Sequence, residues 1–124
     1  METRSNTQIA IIDDDPLVRE ALRDCMESAG YTVEDFGTAE GFSASDSAQS
    51  AACLIVDIQL PGMSGLELQR QLAGAGFGVP IVFVSAHGTD ANREQAMMLG
   101  AAAFLTKPVR REELLHVVRA AIKH

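Results

Sequence analysis

Ile9-Ala10-Ile11-Ile12-Asp13-Asp14-Asp15-Pro16 passes within one short stretch from a wholly apolar run to three carboxylates and then to a proline. An unbroken apolar run suits a strand covered on both faces; a strand with one face in water would alternate. Asp15-Pro16 reads as a helix start, with Asp at the N-cap and Pro at the first helical position. Val18, Ala21, Leu22, Cys25, Met26 and Ala29 recur at helical spacing, and Gly30 closes the helix. Strand, acidic end and helix together make one β–α unit of a parallel sheet.

The same alternation continues along the chain. Tyr31 to Phe36 alternates like a half-buried strand, and Thr38 to Gln49 is expected to contain a helix interrupted by Gly41 and several Ser. Cys53-Leu54-Ile55-Val56 is a second fully apolar strand that ends at Asp57, before the breaker-rich loop Leu60 to Gly65 and a helix through Leu66, Leu68 and Leu72. Val79 to Val84 is a third apolar strand, ending at Ser85, and Asp90 to Leu99 reads as a helix closed by Gly100. Ala101 to Thr106 is the last strand and Val109 to Ile122 the last helix, with Glu112 and Glu113 in its early turns. Five strands alternating with five helices predict an α/β fold, a five-stranded parallel sheet with right-handed crossovers and helices on both faces.

Composition narrows the function. A chain of 124 residues builds one domain with a real core, and five Phe, one Tyr and no Trp make that core aliphatic. A net charge of -7 argues against wrapping a nucleic-acid backbone. No apolar run approaches the ~20 residues that span a bilayer. Met1 to Gln8 is short and polar, lacks the apolar centre of a signal peptide, and reads as a flexible N-terminus ahead of one domain over residues 9–124. Cys25 and Cys53 fall in apolar positions, as small buried thiols of a reducing compartment do, and the expected location is cytoplasmic.

Open α/β sheets bind ligands outside the carboxyl ends of their strands. Asp13 with Asp14, Asp57, Ser85 and Lys107 all fall there. Only two of the ten cations are Lys, and Lys107-Pro108 places one of them directly after a strand. Carboxylates converging from two strands need a counter-charge, which a hard cation such as Mg²⁺ and the Lys107 ammonium would supply. An Asp so placed is a nucleophile towards a phosphoryl group, and Ser85 and Lys107 are donors for the phosphoryl oxygens. Plainer roles exist for each residue. Asp15 is a helix cap, Asp57 and Ser85 suit turns, His87 is a loop residue near the site entrance, and His116 and His124 are solvated. Joint placement at successive strand ends is what favours a site.

Ile12-Asp13-Asp14-Asp15-Pro16-Leu17-Val18, Val56 to Gly65, Val84-Ser85-Ala86, Gly100-Ala101 and Phe104-Leu105-Thr106-Lys107-Pro108 occur in that order. In this the chain resembles the receiver domain of two-component response regulators (the CheY-like superfamily) from Ile9 to about Ile122. The resemblance implies a flavodoxin-like, doubly wound (βα)5 fold and a phosphorylation-controlled switch that catalyses only its own phosphotransfer and dephosphorylation. Asp57 would be the phospho-acceptor, charged from the phosphohistidine of a sensor histidine kinase. Asp14 and Asp57 would hold Mg²⁺ directly, Asp13 through water, and the backbone carbonyl of Gln59 would complete the set. Lys107 would pair with the phosphoryl group and Ser85 hydrogen-bond it, while Phe104 matches the switch aromatic that turns inward when that hydroxyl moves. The Lys107-Pro108 bond matches one that is cis in the family.

Ser85 stands for the commoner Thr, Leu60 for Met and Ser64 for Asp, while Gln59 and His87 occupy positions that vary with phosphate lifetime. The Met-Ser-Gly and Ser-Ala-His-Gly segments are most similar to FixJ-type receivers, which precede a helix-turn-helix transcription domain. The implied partners are the kinase, an output domain or docking partner, and a second copy meeting through the last strand and flanking helices; neither nucleic acid nor membrane is expected. A haloacid-dehalogenase-type phosphohydrolase, using Asp13 and Asp15, is the alternative from another class, and a phosphorylation-independent degenerate receiver is the third reading.

Overall fold

The computed structural model describes residues 7–86 and 89–123. Within them the chain alternates β1(Gln8–Ile12), α1(Pro16–Ser28), β2(Thr32–Phe36), α2(Ala39–Ser43), α3(Ser47–Ser50), β3(Cys53–Asp57), α4(Gly65–Gly74), β4(Ile81–Ser85), α5(Asp90–Met98), β5(Ala103–Thr106) and α6(Arg111–Ile122). All strand pairings are parallel, in the order β2-β1-β3-β4-β5. The α/β fold, the parallel five-stranded sheet and its doubly wound form are as the sequence leads one to expect.

The apolar runs pack as continuous burial predicts. Alternate residues of each inner strand enter opposite cores. Ala10, Ile12, Leu54, Val56, Ile81 and Phe83 pack with Phe42, Leu68 and Leu72, beneath α2, α4 and α5. Ile9, Ile11, Cys53, Ile55, Val82 and Val84 pack with Met26, Leu114 and Val118, beneath α1 and α6. At ~0.8 kcal/mol per buried methylene, these two aliphatic layers supply the main drive for folding. α1 and α6 therefore cover one face and the remaining helices the other.

Several boundaries differ from the sequence reading, and β4 for one begins at Ile81 and not Val79. The helix expected within Thr38–Gln49 is two short pieces, α2 and α3, because Ser45 returns its hydroxyl to the Phe42 carbonyl and ends the first turn. The last strand begins at Ala103, since Gly100 and Ala101 close the preceding helix through Met97 and Ala96 carbonyls. The last helix begins at Arg111, with the extended Arg110 as its N-cap. Gln8 already belongs to β1, while residues 1–6 and the loop residue His87 lie outside the described residues.

Candidate functional site

In the order β2-β1-β3-β4-β5 the chain reverses its direction of travel across the sheet between β1 and β3. Crevices form at such a reversal, at the carboxyl ends of the strands. Asp13 follows β1 and Asp57 ends β3, so the two face each other there. Both are buried, whereas Asp14 is exposed. One carboxylate oxygen from each of Asp13, Asp14 and Asp57 lies within 4.8 Å of the others.

Lys107 enters from the end of β5 and closes the set. Its Nζ donates to Asp13 Oδ2 at 2.8 Å and to Asp57 Oδ2 at 2.9 Å. The Lys107-Pro108 bond is cis, as the family resemblance implies. The remaining oxygens are engaged locally: Asp13 Oδ1 accepts from the Asp15 amide at 2.9 Å and Asp57 Oδ1 from the Gln59 amide at 3.0 Å. Ser85 ends β4 beside Asp57 and is buried.

Burial pushes the Asp57 carboxyl above the ordinary aspartate range, a shift that the hydrogen bonds from Lys107 and Gln59 only partly offset and that the Asp13 charge reinforces. Burial alone would depress Lys107, but its bonds to Asp13 and Asp57 outweigh that, so the ammonium holds its proton more tightly than usual. The pocket thus sets one firmly held cation against three carboxylates. Its donors are all hard oxygens, and their unbalanced charge is what an Mg²⁺ ion would neutralise.

The plainer readings also find their places. Asp15 is the N-cap of α1, its side chain accepting from the Leu17 amide, with Pro16 opening the helix. That carboxylate serves the helix, which removes the second acid of the phosphohydrolase alternative. His116 is exposed on α6, and His124 lies outside the described residues. Phe104, on β5, is buried against Phe83 with ring centroids 6.2 Å apart.

Three further residues support the site. Arg19 reaches back from α1 and donates to the Asp13 carbonyl at 2.7 Å. Glu40, in the first turn of α2, accepts from the Met63 amide at 2.9 Å and so ties down the loop after Asp57. Gly65 opens α4 so close to β3 that a Cβ there would stand 2.4 Å from the Asp57 carbonyl oxygen. The Pro-Gly-Met-Ser-Gly run signalled a turn at Gly65, but nothing in the spacing marks Arg19 or Glu40.

Fold and site define a doubly wound α/β domain with an acid–lysine pocket at its switch point. The chain belongs to the response regulator receiver domain family, which matches residues 9–119. It is 45% identical over 115 residues to the response regulator protein TodT of Pseudomonas putida, covering 93% of this chain and 51% of that protein. The transcriptional regulatory protein FixJ of Azorhizobium caulinodans is 35% identical over 114 residues, covering 92% of this chain and 54% of that protein. Among solved structures, the response regulator StyR superposes with a TM-score of 0.88 at 40% identity, covering 95% of this chain and 60% of that one. FixJ-N superposes with a TM-score of 0.86 at 28% identity, covering 100% of this chain and 97% of that one. The chain spans about half the length of the curated relatives it matches. No helix among the described residues is long and apolar enough to cross a membrane.

Proposed function

We propose that Asp57 is the phospho-acceptor of this receiver domain and that Lys107 and Ser85 hold the transferred group. The reading rests above all on Lys107 Nζ bridging Asp13 and Asp57, which sets a compact cation where phosphoryl oxygens would arrive. An Asp57 carboxylate oxygen attacks the phosphorus of a sensor kinase phosphohistidine; the P–N bond breaks as the P–O bond forms, and the imidazole leaves. Lys107 then exchanges its bond to the Asp57 carboxylate for one to a phosphoryl oxygen, while keeping Asp13. Ser85, ending the neighbouring strand, donates its hydroxyl to the same group. The domain performs this transfer upon itself, and likewise the later hydrolysis in which water takes the phosphoryl group, releasing inorganic phosphate and restoring the Asp57 carboxylate; it turns over no other substrate.

Asp14 and Asp57 would hold Mg²⁺ directly with the Gln59 carbonyl, and Asp13 through water. The exposure of Asp14, with its carboxylate beside those of Asp13 and Asp57, supports its part in this set. Bound there, the ion neutralises charge on the phosphoryl oxygens.

The kinase is the upstream partner, and the site's location is the cytoplasm. The switch through Phe104 alters the surface of β5 and its flanking helices, controlling an output domain, in the manner of the transcriptional regulators it resembles, or a second copy of the chain. In this reading residues 9–124 form the receiver domain, after the short polar segment of residues 1–8. Incubation with a small-molecule phosphodonor and Mg²⁺ should label the parent chain and leave Asp57→Asn unlabelled. Persistent label in that variant would assign the acceptor elsewhere.

A further inference from the structure

α5 is the least anchored of the longer helices. Only Ala96 among its residues is fully buried, and Met97, Met98 and Leu99 at its end stay exposed. Among the described residues, two polar contacts fasten it. Gln69 Nε2, from α4, donates to the Ala96 carbonyl at 3.0 Å. Arg93 reaches across to β5, donating Nη1 to the Phe104 carbonyl at 3.3 Å and placing its guanidinium carbon 4.9 Å from the centre of the Phe104 ring. A cation over an aromatic face attracts through the ring quadrupole, and a planar guanidinium does so while donating a hydrogen bond. β5 is the edge strand of the sheet, so the same side chain also satisfies a carbonyl at the sheet margin.

From this geometry we infer that Arg93 is the positioning residue of the switch: it clips α5 to β5 and holds Phe104 inward before any phosphoryl group arrives. The inference rests on the proposed role of Phe104 as the switch aromatic. Phe104 lies between Phe83 on one side and Arg93 on the other. Swinging the ring outward removes the cation's π-face, and releasing Arg93 frees the ring and leaves the Gln69 bond as the remaining one of α5's two fastenings. The two motions are therefore one equilibrium. A ligand that requires the inward ring binds more tightly to a chain already biased that way, and the coupling is reciprocal.

The test uses beryllofluoride with Mg²⁺ as a stable stand-in for the phosphoryl group. Affinity is followed by fluorine NMR, and α5 by amide hydrogen exchange in the metal-free chain. Arg93→Gln should bind beryllofluoride about two- to fivefold more weakly, the equivalent of the ~0.5–1 kcal/mol of an exposed cation–π contact at 1.4 kcal/mol per tenfold. Its α5 amides should exchange faster while those of α1 and α6 do not change. Arg93→Lys, which keeps the charge, should recover part of the affinity. In a Phe104→Leu background, Arg93→Gln should weaken binding less than it does in the parent.

Unchanged affinity with unchanged α5 exchange overturns the clip, as does an equal effect of Arg93→Gln in both backgrounds. Beryllofluoride binding that survives Asp57→Asn counts instead against the phospho-acceptor assignment. The clip is still decided in that case, by the exchange rates of α5.

Discussion

At the scale of single residues, the site is a balance that Lys107 barely holds. Its one ammonium faces two buried carboxylates, so Lys107→Met leaves Asp13 and Asp57 opposed without a cation. Removing one partner of a buried pair typically costs ~3–5 kcal/mol. Urea unfolding of the metal-free variant at pH 7 should therefore show a loss of about 3 kcal/mol, and millimolar Mg²⁺ should return part of it. The opposite change is expected at Asp57. Its carboxyl lies above the ordinary value of 3.8 when folded, so between the two values the folded chain keeps a proton that the unfolded chain has released. Stability from this group then falls as pH rises through that window. Asp57→Asn escapes the loss, so in chelator at pH 7 it should melt above the parent, with the gap closing on acidification towards 3.8. A gap that stays constant from pH 7 to pH 4 would rule out the buried carboxylate as its source. The chemistry of these residues was readable because each sits at the end of an apolar strand, and their joint placement there outweighs the turn role each could fill alone.

At the scale of elements, legibility followed how strongly a segment's own pattern constrained it. β1, β3 and β4 are continuous apolar runs, and α1 carries its cap and its proline, so each was plain from the chain alone. α2 and α3 were not, because Ser45 and its neighbours compete with the helix for backbone partners, a choice made by tertiary contacts such as Ser47 to Glu34. Glu40 and Arg93 are the same case in another form. Each acts on backbone brought near by the fold, and no local spacing encodes such proximity. α4 makes its own prediction. Ser64 and Glu67 form a capping box that starts the helix at Gly65, hard against the Asp57 carbonyl. Gly65→Ala should lower stability by ~1–3 kcal/mol in urea melts, as overpacking does, and slow labelling of Asp57 by moving its backbone. A variant as stable and as quickly labelled as the parent would show that the contact yields freely.

At the scale of the whole molecule, the two cores report on each other through the central strand. Cys53 begins β3, wholly buried, and burial raises its thiol pKa to about 12. Cys25, on α1, is shifted in the same direction by the same cause. Thiolate is the reactive form, so neither should alkylate in the folded chain at pH 8, whereas both should react in denaturant. Cys53 alkylation in native buffer should then proceed at the rate of global opening, which sub-global loss of α5 cannot provide. Labelling of Cys53 faster than global unfolding would mean that β3 opens locally.

The bond from Lys107 to Asp13 spans 94 positions of the chain, and Asp57 lies between them. Synthesis runs from the N-terminus, so all three carboxylates emerge before the ammonium that reconciles them. A nascent chain stalled short of β5 has Asp13, Asp14, Asp57 and Ser85 but not the ammonium that bonds Asp13 and Asp57. If Lys107 holds the phosphoryl group as proposed, the site is completed only when the last strand has been delivered by the ribosome, and a product truncated before β5 should label poorly with a phosphodonor.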